Sequence, residues 1–449
     1  MTSTVRRAGA FAAVGTLAFV VPLATRLPDR TLAAVAAAVP FAAVAAFALY
    51  VVDEDGLLFE LFARPGDRRD GRLYGLASFA LAAAGLALLA VRFGLPTSVY
   101  VAAVLLLAYG NLAGHVVRAV SGEPVVATAG FVVGGTAAAV AGQYVVGVVV
   151  GPTPTWPLVV FFAASGALLG ALLRSVLFER DDPLVVVSVA LLLWLFSDLP
   201  LTVSPTRVAV ALAVTAVLGY IAYALETASL PGMLTGVFLG LLTIVLGDYG
   251  WFLMLITFFG VGGLSTKFRY ERKQELGLAE DNDGARGSGN VLANSLVALF
   301  ALLGAAASPS HTTLPASLFL FSFAGAVAAA MSDTLSSEFG GLYENPRLIT
   351  TFERVDPGTD GGVTWQGELA GLVGAGLIAA IAAGMFGRIT LLGAGVVAVA
   401  GFTGMTVDSL LGATIEGPYV GNQGVNLLAT FAAAIVSAAL AVATGFVPL

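Results

Sequence analysis

The sequence contains no cysteine, and it has only two histidines, His115 and His311, and two lysines, Lys267 and Lys273. The absence of cysteine excludes disulfide bonds, thiolate metal sites and cysteine nucleophiles. Two histidines argue against a multi-histidine metal centre. Charged residues make up 11% of the 449 residues, against about 25% in a typical soluble domain. The net charge of −7 argues against a nucleic-acid partner.

Apolar residues are what the chain has in excess, at 58% of the total. They form repeated runs of about 17–25 residues, which is the length that crosses a bilayer. The prediction is an all-α, polytopic transmembrane helix bundle in the cell membrane, and Arg6-Arg7 are expected to precede a retained first helix rather than a cleaved signal. The 15 candidate helices cover residues 8–25, 31–51, 73–92, 96–114, 127–150, 156–175, 183–199, 205–224, 229–246, 249–265, 290–307, 314–335, 365–385, 389–407 and 425–447.

The distribution of lysine and arginine predicts the orientation of the chain. With the N-terminus in the cytoplasm, most of the 21 basic residues fall in cytoplasmic loops, as the positive-inside rule requires. In this orientation Asp333, Asp408 and the segment Gly358–Thr364 also face the cytoplasm. An active site built from them would be cytoplasmic.

The sequence of helices four to seven is similar to that of helices twelve to fifteen, which predicts a parallel internal repeat. The stretch Tyr109–His115 corresponds to Ser332–Glu338, with Asn111 at the position of Asp333. A shared apolar composition is the alternative explanation. We predict an N-terminal transmembrane domain over residues 1–224, as a degenerate copy, and a catalytic transmembrane domain over residues 225–449.

Acidic residues near the predicted ends of two helices are the first candidates for chemistry. A carboxylate near the hydrocarbon core costs roughly 2.5–3.5 kcal/mol, so its presence there indicates function. Asp333 is followed by Glu338, and Asp408-Ser409 repeats the pattern of Asp333-Thr334. Carboxylate and hydroxyl oxygens suit Mg²⁺ or another divalent cation, which bridges to substrate phosphates. The alternative is a pair of helix-end acids in the headgroup zone. On the first interpretation Asp333 and Asp408 are metal ligands, and Glu338 joins them as a catalytic residue.

A glycine-rich segment, Gly358–Thr364, leads directly into a helix. Glycines such as Gly361 and Gly362 let the backbone approach an anion, Thr364 is a suitable N-cap, and a helix N-terminus presents free N–H groups to phosphate. The segment is not a Walker loop. An ordinary glycine-rich turn remains the alternative.

Amide and basic side chains at the same membrane edge are candidates for phosphate or nucleotide binding. They are Arg286, Asn290, Asn294 and Asn426, together with the hydroxyl group of Ser409. Asparagines inside a bundle also serve as hydrogen bonds between helices. The other basic residues between Lys267 and Asn290 are interpreted as a solvated loop. The spacing Gly367-x-x-x-Gly371 is typical of close helix packing, and in a chain with 54 glycines it also arises by chance.

Taken together, residues from about 225 to 449 resemble the membrane family known as domain-of-unknown-function family 92, which includes plant phytyl-phosphate kinase. The stretches that carry the resemblance are Phe258–Lys267, Arg286–Asn294, Ala330–Gly340, Gly358–Gly367 and Gly401–Gly412. The N-terminal half weakly resembles the phytol and dolichol kinase type, at Gly110–Gly114 and Glu179–Leu184.

The resemblance implies a kinase that transfers a phosphoryl group from a nucleoside triphosphate, CTP being favoured, to a polyprenyl monophosphate lipid. Asp333, Glu338 and Asp408 are the metal and phosphate residues that it implies. Two other classes of function stay open: a membrane transporter of a small or anionic solute, and a cytidylyltransferase on a lipid phosphate.

Overall fold

Helices form most of the described chain in a computed structural model of the protein. The structure describes residues 3–151, 154–178, 181–277, 287–308, 310–417 and 419–448. These residues form two compact units, Met1–Val208 and Ala209–Leu449. The second unit begins one helix before the predicted domain boundary at residue 225, and the functions assigned to the two domains stay predictions.

The long helices of the first unit are α1 to α7, and α8 begins near its end. Short helices Leu57–Phe62 and Pro65–Asp70 lie between α2 and α3. The long helices are Thr4–Ala24 (α1), Arg30–Tyr50 (α2), Tyr74–Arg92 (α3), Thr97–Ser121 (α4), Pro124–Val150 (α5), Trp156–Val176 (α6), Asp182–Asp198 (α7) and Pro205–Ala224 (α8).

The second unit contains the rest of α8 and seven further long helices. A short helix, Tyr270–Glu275, follows α10, and a two-stranded antiparallel sheet, Arg347–Leu348 with Gly362–Val363, lies between α12 and α13. The long helices are Leu230–Gly247 (α9), Tyr249–Lys267 (α10), Ser288–Ala307 (α11), Ala316–Gly340 (α12), Trp365–Met385 (α13), Leu391–Gly412 (α14) and Asn422–Ala443 (α15).

The prediction of a polytopic helical membrane protein is confirmed. Each of the fifteen predicted segments is a helix in the described part of the chain, and fourteen of them are long and apolar enough to cross a membrane. The remaining one is α7, with 17 residues. The predicted end of α12 is wrong, because the helix continues from residue 335 to Gly340. Asp333 therefore lies inside the helix, and the internal repeat stays a prediction.

Helix α12 is the centre of the second unit. It packs against α10, α11, α13, α14 and α15, and its buried share is the largest among the candidate spans of that unit. Small residues make this possible, since a buried run from Ala324 to Ala330 consists of alanines apart from Gly325 and Val327. Helices approach closely where side chains are small. The helix that carries Asp333 is therefore held on several sides.

Glycines of α13 lie directly against the backbone of α12. A Cβ atom on Gly367 would lie 2.9 Å from the carbonyl oxygen of Ser336, and one on Gly371 would lie 2.9 Å from that of Ser332. The Ser332 hydroxyl donates a hydrogen bond of 2.8 Å to the Gly371 carbonyl. The Gly367-x-x-x-Gly371 spacing thus marks a helix contact and is not a chance pattern.

We expect Gly371→Val to destabilise the second unit, because the added carbons would overlap the Met405 sulfur and the Ser332 carbonyl. Overpacking of this kind costs about 1–3 kcal/mol or more. The measurement is the thermal unfolding midpoint in detergent. Gly376→Val is the matched control, because a Cβ there meets nothing within 4 Å. Equal midpoints for the two variants would contradict the importance of this contact.

Candidate active site

A polar cavity of about 370 Å³ lies in the second unit, where α12 and α14 end and α13 begins. Most of the predicted site residues line it: Asp333, Glu338, Gly361, Gly362, Thr364, Asp408 and Ser409. Also in its wall are Lys273, Asp360, Glu416 and Asn422. The two helix ends and the glycine-rich segment, which are far apart in sequence, therefore share one cavity.

The carboxyl groups of Asp333 and Asp408 lie side by side in this cavity. They approach within hydrogen-bonding reach of each other, and Glu416 is close enough to interact electrostatically with Asp408. The Oδ2 atom of Asp408 is buried and has no hydrogen-bond partner among the described residues. A buried carboxylate oxygen without a partner is costly. Two acids this close, one with an unsatisfied oxygen, have the chemistry of a cation site.

Asp333 and Asp408 could bind a magnesium ion if water and a substrate phosphate supply the other ligands. Among the described residues, no group of three or more histidine, cysteine or acidic side chains is arranged to enclose a metal ion. Mg²⁺ is usually held by one or two carboxylates together with water and substrate phosphate. Asp333 and Asp408 could supply those carboxylates. Their assignment as metal ligands stays a prediction.

Glu338 lines the same cavity, although α12 remains a regular helix through Gly340. Five residues of helix turn a side chain by about 140° relative to the first, so Asp333 and Glu338 leave α12 in different directions. Both nevertheless line the cavity. The role of Glu338 as a catalytic residue stays a prediction.

The glycine-rich segment is pressed against the end of α14. Gly361 has a φ of +74°, and a Cβ atom there would lie 2.6 Å from both the Ser409 carbonyl oxygen and the Ala413 nitrogen. Strand pairing of Gly362 with Leu348 holds the segment from the other side. Only glycine tolerates both this backbone conformation and this approach.

Thr364 connects the ends of α12 and α13. Its side chain accepts a 3.2 Å hydrogen bond from the Gly367 N–H and donates one of 3.3 Å to the Gly340 carbonyl. The predicted N-cap is confirmed. A role of the segment in phosphate binding stays a prediction.

Lys273 is a site residue that the sequence analysis missed. It is 4% exposed, and its ammonium group forms an ion pair with Glu338. The surrounding loop contains many charges of both signs, so we interpreted it as solvated. Only the fold shows that Lys273, on the short helix Tyr270–Glu275, reaches back to the carbonyl groups at the end of α10 and is buried there.

Asp360, Glu416 and Asn422 also line the cavity. Asp360 belongs to the predicted glycine-rich segment, and Glu416 is a residue that the sequence analysis missed. Asn422 forms a side-chain hydrogen bond with Glu416, and Asp360 lies close to the same carboxylate. Burial, and then the charge of Asp360, raise the pKa of Glu416 above its ordinary value. Glu416 lies in a turn after α14, where the sequence carries no periodic signal.

The raised pKa of Glu416 predicts a pH dependence of stability. A carboxyl whose pKa is higher in the folded state stabilises the fold when protonated, and that contribution is lost as pH rises through the folded-state pKa. Glu416→Gln cannot ionise. We therefore expect the melting temperature of Glu416→Gln to increase relative to that of the wild type as the pH is raised from 4 to 7. A constant difference across this range would contradict the prediction.

The other predicted residues within the described part of the chain do not line the cavity. Asn290 and Asn294 lie on the first turns of α11, where the Asn294 amide donates to the Asn290 carbonyl at 3.0 Å. Asn426 donates to the Asn422 side chain at 3.2 Å, one turn away from the cavity wall. Arg286 lies outside the described residues. The Asn290 Oδ1 atom is buried and without a partner in the described part of the chain.

The fold and the cavity define a class: a polytopic integral membrane protein with an acidic polar site at the ends of its helices. Residues 213–434 match the family described as "Integral membrane protein DUF92". The chain belongs to this family of integral membrane proteins. The match covers every residue that lines the cavity.

Relatives occur in archaea and plants. An uncharacterized membrane protein of Methanocaldococcus jannaschii is 36% identical over 208 residues, which is 46% of this chain and 82% of the relative. "Protein VTE6, chloroplastic" of Arabidopsis thaliana is 30% identical over 42% of this chain and 56% of its own length. "Protein PGR" of the same plant is 30% identical over 47% of this chain and 79% of its own length. No solved structure matches the chain.

Proposed function

We propose that the second unit is a membrane kinase, which transfers the γ-phosphoryl group of a nucleoside triphosphate, CTP in the first instance, to a polyprenyl monophosphate. The observation that carries the proposal is the meeting of Asp333 and Asp408 with the glycine-rich segment in one cavity. Membership of the family supports the proposal, since the family that this sequence resembles includes plant phytyl-phosphate kinase.

The reaction requires no covalent enzyme intermediate. An oxygen of the lipid phosphate attacks the γ-phosphorus, the bond from that phosphorus to the β–γ bridging oxygen breaks, and a nucleoside diphosphate leaves. Catalysis of such transfers consists mostly of positioning and charge stabilisation. A bound divalent cation would neutralise the phosphate oxygens. Asp333 and Asp408 would hold that cation, and the Gly361–Thr364 backbone would hold a phosphate.

The cavity favours this function over transport. Transporters bind substrate near the middle of the bilayer, at interrupted helices. Here the acidic side chains gather at one end of α12 and α14, next to the loops that follow these helices. One end of the bundle is where a soluble nucleotide and the headgroup of a lipid can meet.

The test is an assay of purified protein in detergent with CTP, Mg²⁺ and geranylgeranyl or phytyl monophosphate. Formation of the lipid diphosphate together with CDP is the expected result. Release of pyrophosphate with a CMP-bearing lipid would instead identify a cytidylyltransferase. No consumption of CTP or of the other nucleoside triphosphates with either lipid would overturn the proposal and favour transport.

A further inference from the structure

The charge of the polar cavity is strongly one-sided. Its wall carries five carboxylic acids, Asp333, Glu338, Asp360, Asp408 and Glu416, and among the described residues that line it Lys273 is the single basic one. A phosphate that enters such a cavity meets mainly like charge. Any basic group in the wall is therefore important for binding an anion.

Lys273 already has a full set of acceptors. Its ammonium donates to the Ser265 carbonyl at 2.8 Å, to the Thr266 carbonyl at 3.4 Å, and to Glu338. An ammonium group has three N–H donors, so each is used. The two carbonyls belong to the last turn of α10, where a cation is favoured by the helix dipole. These contacts hold the ammonium at the cavity wall independently of Glu338.

Glu338 has fewer constraints than its partner. One oxygen, Oε2, pairs with Lys273. Its side chain is 11% exposed and lies in the cavity wall. A buried ion needs a partner of opposite charge at all times. The pair satisfies this need while the cavity holds no ligand, and a ligand that carries both a cation and an anion could satisfy it equally well.

We propose that Lys273 and Glu338 exchange partners when a cation-bound phosphate enters, an inference that rests on the proposed function. The Lys273 ammonium keeps its two carbonyls and exchanges the Glu338 carboxylate for a phosphate oxygen. Glu338 is then available to the cation that accompanies the phosphate. No buried charge is left unpaired before or after binding, and no covalent bond changes. Lys273 is thus assigned as a phosphate-binding residue.

The exchange is tested with Lys273→Met, Glu338→Gln and the double variant, all in the full-length protein. Each single change leaves a buried charge without its partner, so both should lower the melting temperature, and the double variant should recover most of that loss. Binding of magnesium pyrophosphate is then measured by calorimetry. We expect the double variant to bind roughly tenfold to hundredfold more weakly than the wild type, the effect of losing charged hydrogen bonds, despite its recovered stability.

A second readout separates exchange from a purely structural ion pair. In Lys273→Met, Glu338 has no lysine to hold it, so Mn²⁺ without any phosphate should bind more tightly than to the wild type, as followed by electron paramagnetic resonance. Arg272→Gln is the matched control: it removes a positive charge from the same short helix, but its side chain is 51% exposed and pairs with Glu275. It should leave both affinities unchanged.

The outcomes distinguish failure of the partner exchange from failure of the kinase proposal. If the double variant binds magnesium pyrophosphate as the wild type does, the exchange is overturned and the kinase proposal stands. If the wild type itself binds no magnesium pyrophosphate and transfers no phosphoryl group, both are overturned. Weak binding by the double variant together with tighter Mn²⁺ binding by Lys273→Met supports the exchange.

Discussion

We expect Asp333→Asn to lower phosphoryl transfer by on the order of a thousandfold, the scale of losing a group that stabilises charge in the transition state. The amide cannot supply the negative charge that a cation next to Asp408 requires. The fold should survive, since the change removes one of two adjacent like charges. The measurement is the rate of lipid diphosphate formation, together with the melting temperature and the yield of membrane-inserted protein.

Asp356→Asn is the control for this experiment. Asp356 is exposed, lies in the loop before the glycine-rich segment, and does not line the cavity. Its replacement removes the same charge and should leave the rate unchanged. Full activity of Asp333→Asn would remove Asp333 from the mechanism, and equal losses in both variants would indicate a general effect of charge.

A second large effect is expected for Gly361→Ala. The left-handed backbone costs a non-glycine residue about 1–2 kcal/mol, and the new methyl group would lie 2.5 Å from the Ala413 Cβ atom and 2.6 Å from two backbone atoms. Backbone cannot yield as a side chain can. The segment should therefore move away from α14, and misplacement by about 1 Å is enough to lower a rate by about a hundredfold.

Gly417→Ala is the control that separates the effect of backbone strain from the effect of displacing the glycine-rich segment. Gly417 also has a left-handed backbone, with a φ of +81°, but a Cβ atom there meets nothing within 4 Å. We expect this variant to show a slightly lower melting temperature and nearly full activity. Similar rates for the two variants would show that the contact of Gly361 with α14 does not matter for function. The rate of lipid diphosphate formation and the melting temperature are the two measurements.

The helices were predictable because the bilayer imposes their length and apolar composition. Each predicted apolar run is a helix in the structure. The errors of prediction concern the helix ends, where the amino-acid composition changes gradually. The prediction for α12 ended at residue 335, whereas Ser336 and Ser337 continue the helix, with the Ser337 hydroxyl bonded back to the Thr334 carbonyl. A local hydrogen bond of this kind leaves no hydropathy signal.

The candidate site was predictable where acids or glycines stand out against apolar surroundings. Asp333, Asp408 and Gly361 were found in this way, and all three lie in one cavity. Lys273 was missed because its burial depends on a chain reversal at Arg269, which adopts a φ of +52° that few non-glycine residues adopt. Glu416 was missed because it lies in an irregular turn. Both depend on tertiary contacts that no periodic pattern encodes.

The close contact of α12 with α13 and α14 also has a practical consequence for handling the protein. The Ser332 hydroxyl reaches Gly371 on one neighbour and the Met405 sulfur on the other, so a single side chain ties together three helices that carry the cavity. A harsh short-chain detergent that separates these helices slightly would leave circular dichroism unchanged and still distort the cavity. Helical content is therefore a poor criterion of quality for this protein, and extraction into nanodiscs is the better starting point.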